Sequence, residues 1–378
     1  MQFWLLPLAA TLLVAAWQWA TVTANYGGNW TALFCTGAEQ RLPPLVAAEH
    51  VYVFPNSGGY DGQFYHYIAH DPWLRSGLQS YMDAPGLRYR RILVPLLAYG
   101  IAMGRGQWVD RAYELVFLAG IGLGVYWSCG LAQQAGLAAA WGLLFLLMPA
   151  VPISMDRLVV DGALAALTAG FLYYSRSPSW KLFLVLACAA LTRESGVLLP
   201  ASYCAYLLLR REFRKAGVFA LSGLPAAAWY LYVHAHTAPG EIAMSWIPLL
   251  EILRALGHPE RYPARIPFAA AVHAADYAAL AGVLAAFGLA FVWFFRGPSG
   301  PARLTAALFA AAALFQRWPG HWENVYHFGR VATPLLLCLG AMAAQQRKAW
   351  LLAPAAMMLP KIAMQLAPQA LGVMRWLG

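Results

Sequence analysis

Charged residues are scarce in this sequence. Asp, Glu, Lys and Arg together make up 11% of the 378 residues, whereas a soluble protein has roughly 25%. Hydrophobic residues account for 61%. This balance excludes a disordered chain, a nucleic-acid-binding module and an ordinary cytosolic enzyme.

Cysteine and recognisable motifs are also few. Of the five cysteines, four lie in apolar runs, and Cys35 lies in a polar loop without an evident partner. There is no CxxC spacing, phosphate-binding loop, GxGxxG with a following acid, GxSxG or HExxH. These absences argue against a disulfide framework and a cysteine metal site, and against the nucleotide, serine-hydrolase and zinc-protease motifs. The sequence predicts no metal centre.

Apolar segments recur along most of the chain. A bilayer core of about 30 Å needs about 20 apolar residues in a helix. The sequence therefore predicts an all-α, polytopic membrane protein with one transmembrane domain over 1–378. The predicted spans number about eleven: 3–22, 112–132, 137–154, 159–175, 181–192, 196–209, 216–233, 276–295, 303–316, 330–344 and 349–366.

Two longer connections separate these spans. The first 22 residues are apolar without a basic leader, so we expect a retained first span rather than a signal peptide. A long loop over 23–111 follows, and a second loop covers 234–275, within the remaining spans of 112–378. The short apolar stretch 92–103 predicts an interfacial or re-entrant helix, and the amphipathic stretch 246–256 predicts a helix lying on the membrane surface.

Basic residues predict the orientation. With the N-terminus in the cytoplasm, the very short inner loops carry clusters of Lys and Arg and a single acid, Glu212. All the histidines and nearly all the other acids then fall on the outer side. We therefore expect a bacterial inner-membrane protein whose site faces the periplasm.

The strongest local signal surrounds Asp61. Gly59 and Gly62 flank this acid, which favours a sharp turn that presents a carboxylate. Phe64, Tyr67 and Ile68 then recur at helical spacing. Asp61 is interpreted either as a general base at the membrane surface or as the N-cap of this short helix.

Neighbouring side chains are aromatic or ionisable, as in sugar-binding clefts. We therefore predict substrate contacts from Tyr60, Gln63, Tyr65 and His66. His66 and His70 are spaced i, i+4 and share a helix face. A metal pair is weighed and set aside, because no third ligand is evident.

Arginines cluster immediately before the apolar stretch 92–103. This stretch is predicted to lie on the outer face, where the positive-inside rule predicts few basic residues. Arg88, Arg90 and Arg91 present forked guanidinium groups that bind phosphate in bidentate fashion. The functional interpretation is capture of a lipid-linked phosphate. The alternative is general contact with anionic headgroups.

Acids also lie at the outer junction of two later spans. A carboxylate that close to hydrocarbon is costly without a partner. Asp156 and Asp161 therefore either serve the site or are helix N-terminal acids favoured by the helix dipole.

Two further outer segments add candidates. Arg193 and Glu194 form a local salt bridge, or else Arg193 reaches the phosphate site. In the aromatic-rich loop 316–330, Arg317 or Arg330 is expected to bind an anionic donor, with substrate contacts assigned to His321 and Glu323.

The string Tyr60–Tyr65, Asp71-Pro72, Arg88–Leu93 and Pro95-Leu96 resembles the GT-C superfamily of membrane glycosyltransferases. The similarity is specific over about 60–95, to a bacterial branch associated with cell-surface glycans, and architectural elsewhere. It implies a polyprenyl-phosphate sugar donor and an inverting reaction. Asp61 takes the position of the base, and Asp161 or Asp156 that of the second outer acid.

The same resemblance leaves the accessory groups open. It implies that the donor phosphate meets Arg88, Arg90, Arg91, Arg193 or Arg330, and that a glycan, lipid or protein accepts the sugar. The first loop lacks a clear DxD or Asp-Glu pair. No cofactor is therefore established, and the need for a divalent cation, Mg²⁺ or Mn²⁺, stays open.

Two other classes fit parts of the pattern. A transporter or flippase of an anionic lipid-linked glycan precursor would share the arginines. It would also place polar residues deep in several spans and show half-sequence repeats, and neither is evident. A non-catalytic subunit of a glycan-assembly complex is the third interpretation.

Overall fold

The computed structural model describes residues 4–238, 246–257, 269–297, 300–316 and 320–378. The described chain is almost entirely helical, as predicted. Its α-helices are α1 (Leu5–Tyr26), α2 (Pro44–Ala47), α3 (Asp61–His70), α4 (Pro85–Arg90), α5 (Leu93–Ile101), α6 (Gly106–Gln134), α7 (Ala150–Arg157), α8 (Asp161–Tyr174), α9 (Trp180–Thr192), α10 (Leu198–Leu209), α11 (Phe213–Ala220), α12 (Leu224–His236), α13 (Leu250–Gly257), α14 (Ala269–Arg296), α15 (Pro301–Leu314), α16 (Val325–Gln346) and α17 (Ala353–Leu377).

Short elements connect these helices. Six 3₁₀ helices occupy Trp30–Phe34, Leu78–Tyr81, Ala139–Leu147, Glu194–Val197, Leu221–Gly223 and Ala349–Leu352 in the described part of the chain. Two two-residue strands, β1 (Thr36–Gly37) and β2 (Val53–Phe54), pair in parallel, with Thr36 opposite Val53. This small pair connects two parts of the segment between α1 and α3.

Fewer than eleven helices of the described chain pass a test of length and apolar composition for crossing a membrane. Within the described residues, six helical segments are long and apolar enough to cross a membrane: 5–26, 106–134, 213–236, 269–296, 325–346 and 349–377. A seventh requires counting the pair 139–147 and 150–157, which is bent by 57°, as one span. Eleven spans are therefore not confirmed, although the chain has the apolar helices of a multi-pass membrane protein.

The difference arises from short helices. The predicted spans at 159–175, 181–192, 196–209 and 303–316 form helices, but α8 and α15 have 14 residues each. At 1.5 Å per residue such a helix covers only about 21 Å, less than the hydrocarbon core. The apolar composition predicted these helices correctly. Their short length is what distinguishes them from the six segments that are long enough to cross a membrane.

Several boundaries also differ from the sequence prediction. Helix α6 begins at Gly106, inside the stretch assigned to the first loop. Helix α14 begins at Ala269, so the second loop ends earlier than 275. The predicted surface helices appear as α5 and α13, while residues 239–245 and 258–268 of the second loop lie outside the described residues.

The core brings the site elements together. Helix α16 is the most enclosed of the long helices and packs against α8, α15 and α7. Helix α6 packs against α8 and α1, and the short helix α3 packs against α5 and α6. The N-terminal ends of α3, α8 and α16 thereby converge.

Candidate functional site

Asp61 is the first residue of α3 and lies at the centre of the candidate site. Its Oδ1 lies 2.9 Å from Nη1 of Arg88, and its Oδ2 lies 2.6 Å from Nη2 of Arg330. Arg91 Nη1 is 3.8 Å from Oδ2. The N-cap of α3 is Tyr60, and no side chain caps the helix. The capping alternative for Asp61 is therefore wrong, because its carboxylate is engaged by arginines instead.

A close backbone approach holds the start of α3 in place. A Cβ added to Gly62 would lie 2.2 Å from the carbonyl oxygen of Arg157 and 2.8 Å from that of Phe34. Only glycine therefore lets the first turn of α3 press against the end of α7. The glycine that follows Asp61 thus fixes how far the carboxylate reaches into the protein.

Arg88 and Arg91 come from α4 and its C-terminal end. Besides Asp61, Arg88 makes two hydrogen bonds to Asp83, at 3.0 and 2.7 Å. Arg91 makes two hydrogen bonds to Glu194, at 2.8 and 2.7 Å, and donates to the Tyr65 hydroxyl at 2.7 Å. Both guanidinium groups are thus held in fixed orientations by paired hydrogen bonds.

Arg330 links the two predicted acids. While Nη2 contacts Asp61, Nη1 donates to Oδ2 of Asp161 at 3.3 Å. Asp161 also pairs with Arg193, whose Nε lies 3.6 Å from Glu194. The carboxylates Asp61, Asp161 and Glu194 and the arginines Arg88, Arg91, Arg193 and Arg330 form one connected network, called here the Asp–Arg cluster.

Burial and charge set the protonation state of Asp61. Burial by itself raises the pKa of this carboxyl, but Arg330, Arg88 and Arg91 outweigh burial and hold the pKa well below its usual range. Asp61 is therefore ionised at neutral pH in the ligand-free protein. It occupies the guanidinium groups that an incoming anion would use.

Several buried nitrogens in this region have no hydrogen-bond partner among the described residues. Nε of Arg330 and Nε2 of His321 are two of them. Burial, followed by the nearby His327, Arg330 and Arg193, lowers the pKa of His321 well below its usual range. His321 is therefore neutral at pH 7, which suits it to hydrogen bonding with a ligand rather than to charge pairing.

Tyr60 lies beside the cluster. Its hydroxyl donates to the carbonyl oxygen of Tyr326 at 2.7 Å, and the guanidinium of Arg330 lies 4.9 Å from its ring centroid. The His327 ring stacks on the Tyr60 ring, with ring centroids 5.7 Å apart. Tyr60 thus supports Arg330 through a cation–π contact.

Other predicted residues lie apart from the Asp–Arg cluster. Arg90 packs over the Tyr230 ring at 5.7 Å, and Glu323 is exposed. The Gln63 amide accepts from the Gly37 N–H and donates to the Gly58 carbonyl, so it braces the turn. Arg317 lies outside the described residues.

Asp156 has different surroundings from those expected. It lies in the last turn of α7, so its interpretation as a helix N-terminal acid is wrong. Its carboxylate pairs with Arg157 at 2.9 Å and accepts from Gln369 of α17. Asp161, in contrast, is the first residue of α8, where the helix dipole favours an acid.

His66 belongs to a second group on the far half of α3. The ligand atoms of Glu49, His66, His70 and Asp110 all lie within 4.8 Å of one another. Sequence reasoning found the two histidines but missed both acids. The signal for Asp110 was an acid near the start of α6, in a stretch that was assigned to the loop.

An apolar cavity of about 300 Å³ lies elsewhere, between the C-terminal halves of α6 and α16. Arg347 is its one charged lining residue. Arg347 follows Arg330 by 17 residues along α16, or about 25 Å. This cavity is therefore separate from the Asp–Arg cluster.

Comparison with known proteins adds no family to these observations. No protein-family profile, no curated protein and no solved structure matches this chain.

Proposed function

We propose that this chain is a membrane glycosyltransferase that moves a sugar from a polyprenyl-phosphate donor to an acceptor hydroxyl. The observation that carries the proposal is the Asp61 carboxylate held by Arg88, Arg91 and Arg330. Forked guanidinium groups suit a phosphate, and a carboxylate suits a hydroxyl proton. Both groups needed for sugar transfer thus lie in direct contact.

The donor phosphate replaces Asp61 on the arginines in this proposal. Arg88 and Arg330 form the most direct contacts to Asp61, and Nε of Arg330 is a spare donor. A phosphate bound to them stabilises the charge that develops on the leaving group. Arg91 and Arg193 are already engaged by Glu194 and Asp161, and they hold the surrounding charges in place.

The released Asp61 then acts as the base. The acceptor hydroxyl loses its proton to Asp61 as its oxygen attacks the anomeric carbon from the face opposite the phosphate. The bond between the anomeric carbon and the phosphate oxygen breaks, and polyprenyl phosphate leaves. The configuration is inverted. Asp161 holds Arg330 from its other side through a 3.3 Å contact.

The membrane setting agrees with this donor. The apolar helices make a bilayer the natural surroundings of the chain. A polyprenyl tail would lie in the same bilayer while its phosphate meets the surface helices. We place the site on the periplasmic side of a bacterial inner membrane, with the N-terminus in the cytoplasm, on the basis of the basic inner loops.

The transporter remains a second candidate because of one observation. Lys361 of α17 is buried and pairs with Asp276 of α14 at 2.9 Å. Ion pairs within membrane helices often line transport paths. A transporter would move the lipid-linked precursor without breaking its glycosidic bond, which separates the two candidates experimentally.

The test is a transfer assay with purified protein in proteoliposomes. Radiolabelled polyprenyl-phosphate sugars are supplied with candidate acceptors, and labelled products are separated from the donor. Glycosyl transfer predicts label in a new molecule together with free polyprenyl phosphate. Label that crosses the bilayer while still on the donor supports the transporter and contradicts the enzyme.

Asp61→Asn is the decisive variant in this assay. Loss of a general base lowers the rate by about 10²–10⁴-fold. Because Asn no longer competes for the arginines, polyprenyl phosphate should bind at least as tightly as to the wild type, which distinguishes lost chemistry from lost folding. Glu39→Gln, an exposed acid of the same outer loop, is the matched control and should keep wild-type turnover. Wild-type turnover by Asp61→Asn would exclude Asp61 as the base.

A further inference from the structure

Four metal-ligating side chains meet at the C-terminal half of α3. His66 and His70 lie one turn apart on this helix, Glu49 follows α2, and Asp110 is the fifth residue of α6. Their ligand atoms all lie within 4.8 Å of one another. Asp61 is at the opposite end of α3, so this group is separate from the Asp–Arg cluster.

The spacing fits a single small cation. The two Nε2 atoms of His66 and His70 are 3.2 Å apart, and Nε2 of His70 is 3.3 Å from Oε2 of Glu49. Nε2 of His66 is 2.7 Å from Oδ1 of Asp110 and 3.8 Å from Glu49. Tetrahedral zinc with bonds of about 2.0–2.1 Å places its ligands about 3.4 Å apart. The observed separations bracket this value.

Hydrogen bonding cannot satisfy all four ligand atoms at once. Two imidazole Nε2 atoms face each other, and a proton on either one serves only one contact. Oε2 of Glu49 and Oδ1 of Asp110 are buried, and the polar atoms that the structure places beside them are these same two nitrogens. A dication between the four atoms would satisfy all of them at once, with its charge balanced by the two carboxylates.

The surroundings keep the four side chains in place. The His66 ring is fully buried and stacks on Phe34, with ring centroids 4.2 Å apart. At the start of α6, a Cβ on Gly106 would lie 3.2 Å from Glu49 and 3.5 Å from the His70 ring. Glycine at this position lets α6 approach closely enough for Asp110 to join the group.

We propose that Glu49, His66, His70 and Asp110 bind one divalent transition-metal ion, with Zn²⁺ as the best match. Imidazole nitrogen suits Zn²⁺, whereas Mg²⁺ prefers oxygen ligands and water. Four protein ligands fill a tetrahedral shell, which is typical of a structural site. The ion joins the segment after α2 to α3 and α6. This proposal does not depend on sugar transfer.

Zinc binding by the purified full-length protein tests the proposal. The protein in detergent is stripped with a chelator and titrated with Zn²⁺, and bound metal and the thermal unfolding midpoint are measured. We expect one Zn²⁺ per chain and a higher midpoint with zinc. Mg²⁺ in large excess should not displace it. Co²⁺ in place of zinc should give the intense visible absorption of a four-coordinate site.

Two single-ligand variants assign the binding to these residues. Loss of an outer contact to a metal ligand costs about 10–100-fold in affinity, so His70→Gln and Asp110→Asn should each weaken Zn²⁺ binding by at least about 100-fold. His234→Gln replaces an exposed histidine on α12 and should bind zinc as the wild type does.

Three results would overturn the proposal: no stoichiometric Zn²⁺ on the wild type, wild-type affinity in both ligand variants, or displacement of zinc by Mg²⁺. If the variants do not fold, the wild-type protein alone still decides. A six-coordinate Co²⁺ spectrum, or a midpoint that zinc leaves unchanged, would then contradict the site.

Discussion

At the scale of single residues, the arginines of the Asp–Arg cluster stand out because they are both buried and paired. Arg91, Arg193 and Arg330 are each at most 8% exposed, and all three are paired with carboxylates. Removing one partner of a buried ion pair leaves an unpaired charge and typically costs about 3–5 kcal/mol. Individual cluster residues therefore affect stability as well as chemistry, and experiments on them need a folding control.

His321 gives a pH signature at this scale. Because burial and nearby cations hold its pKa well below the ordinary value of about 6.5, the unfolded chain binds its proton first as pH falls. Stability attributable to neutral His321 is therefore present above about pH 6.5 and is lost below it, by up to about 1.4 kcal/mol per pH unit.

The His321 prediction is checked by thermal or denaturant unfolding between pH 7 and 5. We expect His321→Gln to show a shallower loss of stability over this window than the wild type. Asp61 contributes in the same sense, but only below about pH 4, where the unfolded chain begins to bind a proton at this carboxyl and the folded chain does not. Identical slopes for His321→Gln and wild type would show that this histidine is not held neutral.

At the scale of elements, α3 carries both candidate sites. Its first residue is Asp61, and its second half holds His66 and His70. The sequence predicted this helix from three apolar residues at helical spacing, and the prediction is confirmed. What the pattern could not reveal is the helix's position, which depends on contacts with α7 and α6.

Gly62→Ala tests the positioning of α3. The added methyl would lie 2.2 Å from a backbone carbonyl oxygen that has no freedom to rotate away. Overpacking of this kind costs about 1–3 kcal/mol, and relief would move Asp61 relative to its arginines. We expect a lower unfolding midpoint together with reduced sugar transfer.

Gly217→Ala is the matched control for this helix substitution. Gly217 lies within α11, and a Cβ there meets nothing within 4 Å. Replacing an interior helical glycine by alanine there should be neutral or slightly stabilising. Equal behaviour of the two variants would contradict the close-approach account of Gly62.

At the scale of the whole molecule, the sequence pattern predicts the class of protein, whereas helix lengths and long-range contacts come from the tertiary structure. Apolar runs were enough to predict an all-α membrane protein, because burial in lipid requires such runs. The predicted eleven spans are not confirmed, because composition predicts a helix without deciding whether it crosses the bilayer. The structure gives the helix lengths, whereas the sequence predicts the helix ends only to within several residues.

Long-range pairing was beyond the sequence. Arg91 and Glu194 are separated by 103 residues, and Arg330 and Asp161 by 169. Each was a candidate on its own chemistry, but only packing of α16 against α8 brings the last pair together. Glu49 and Asp110 were missed for the same reason, since Glu49 is 17 residues from His66 and Asp110 is 40 residues from His70 in the sequence.

Sidedness is the main prediction at this scale. The basic connections predict that the link between α16 and α17 lies in the cytoplasm and the segment between α1 and α3 in the periplasm. In a background with the native cysteines replaced, Glu39→Cys should react with an impermeant maleimide added to spheroplasts. Gln345→Cys, an exposed position beside Arg347, should react only after lysis. The reverse pattern would invert the topology and move the candidate site to the cytoplasm.

The most direct test of the whole account is a structure of the protein with polyprenyl phosphate bound in a lipid nanodisc. The account predicts the phosphate within hydrogen-bonding distance of Arg88 and Arg330, with the Asp61 carboxylate released from them. A phosphate bound instead beside Arg347, or Asp61 still paired with both arginines in the occupied protein, would contradict it.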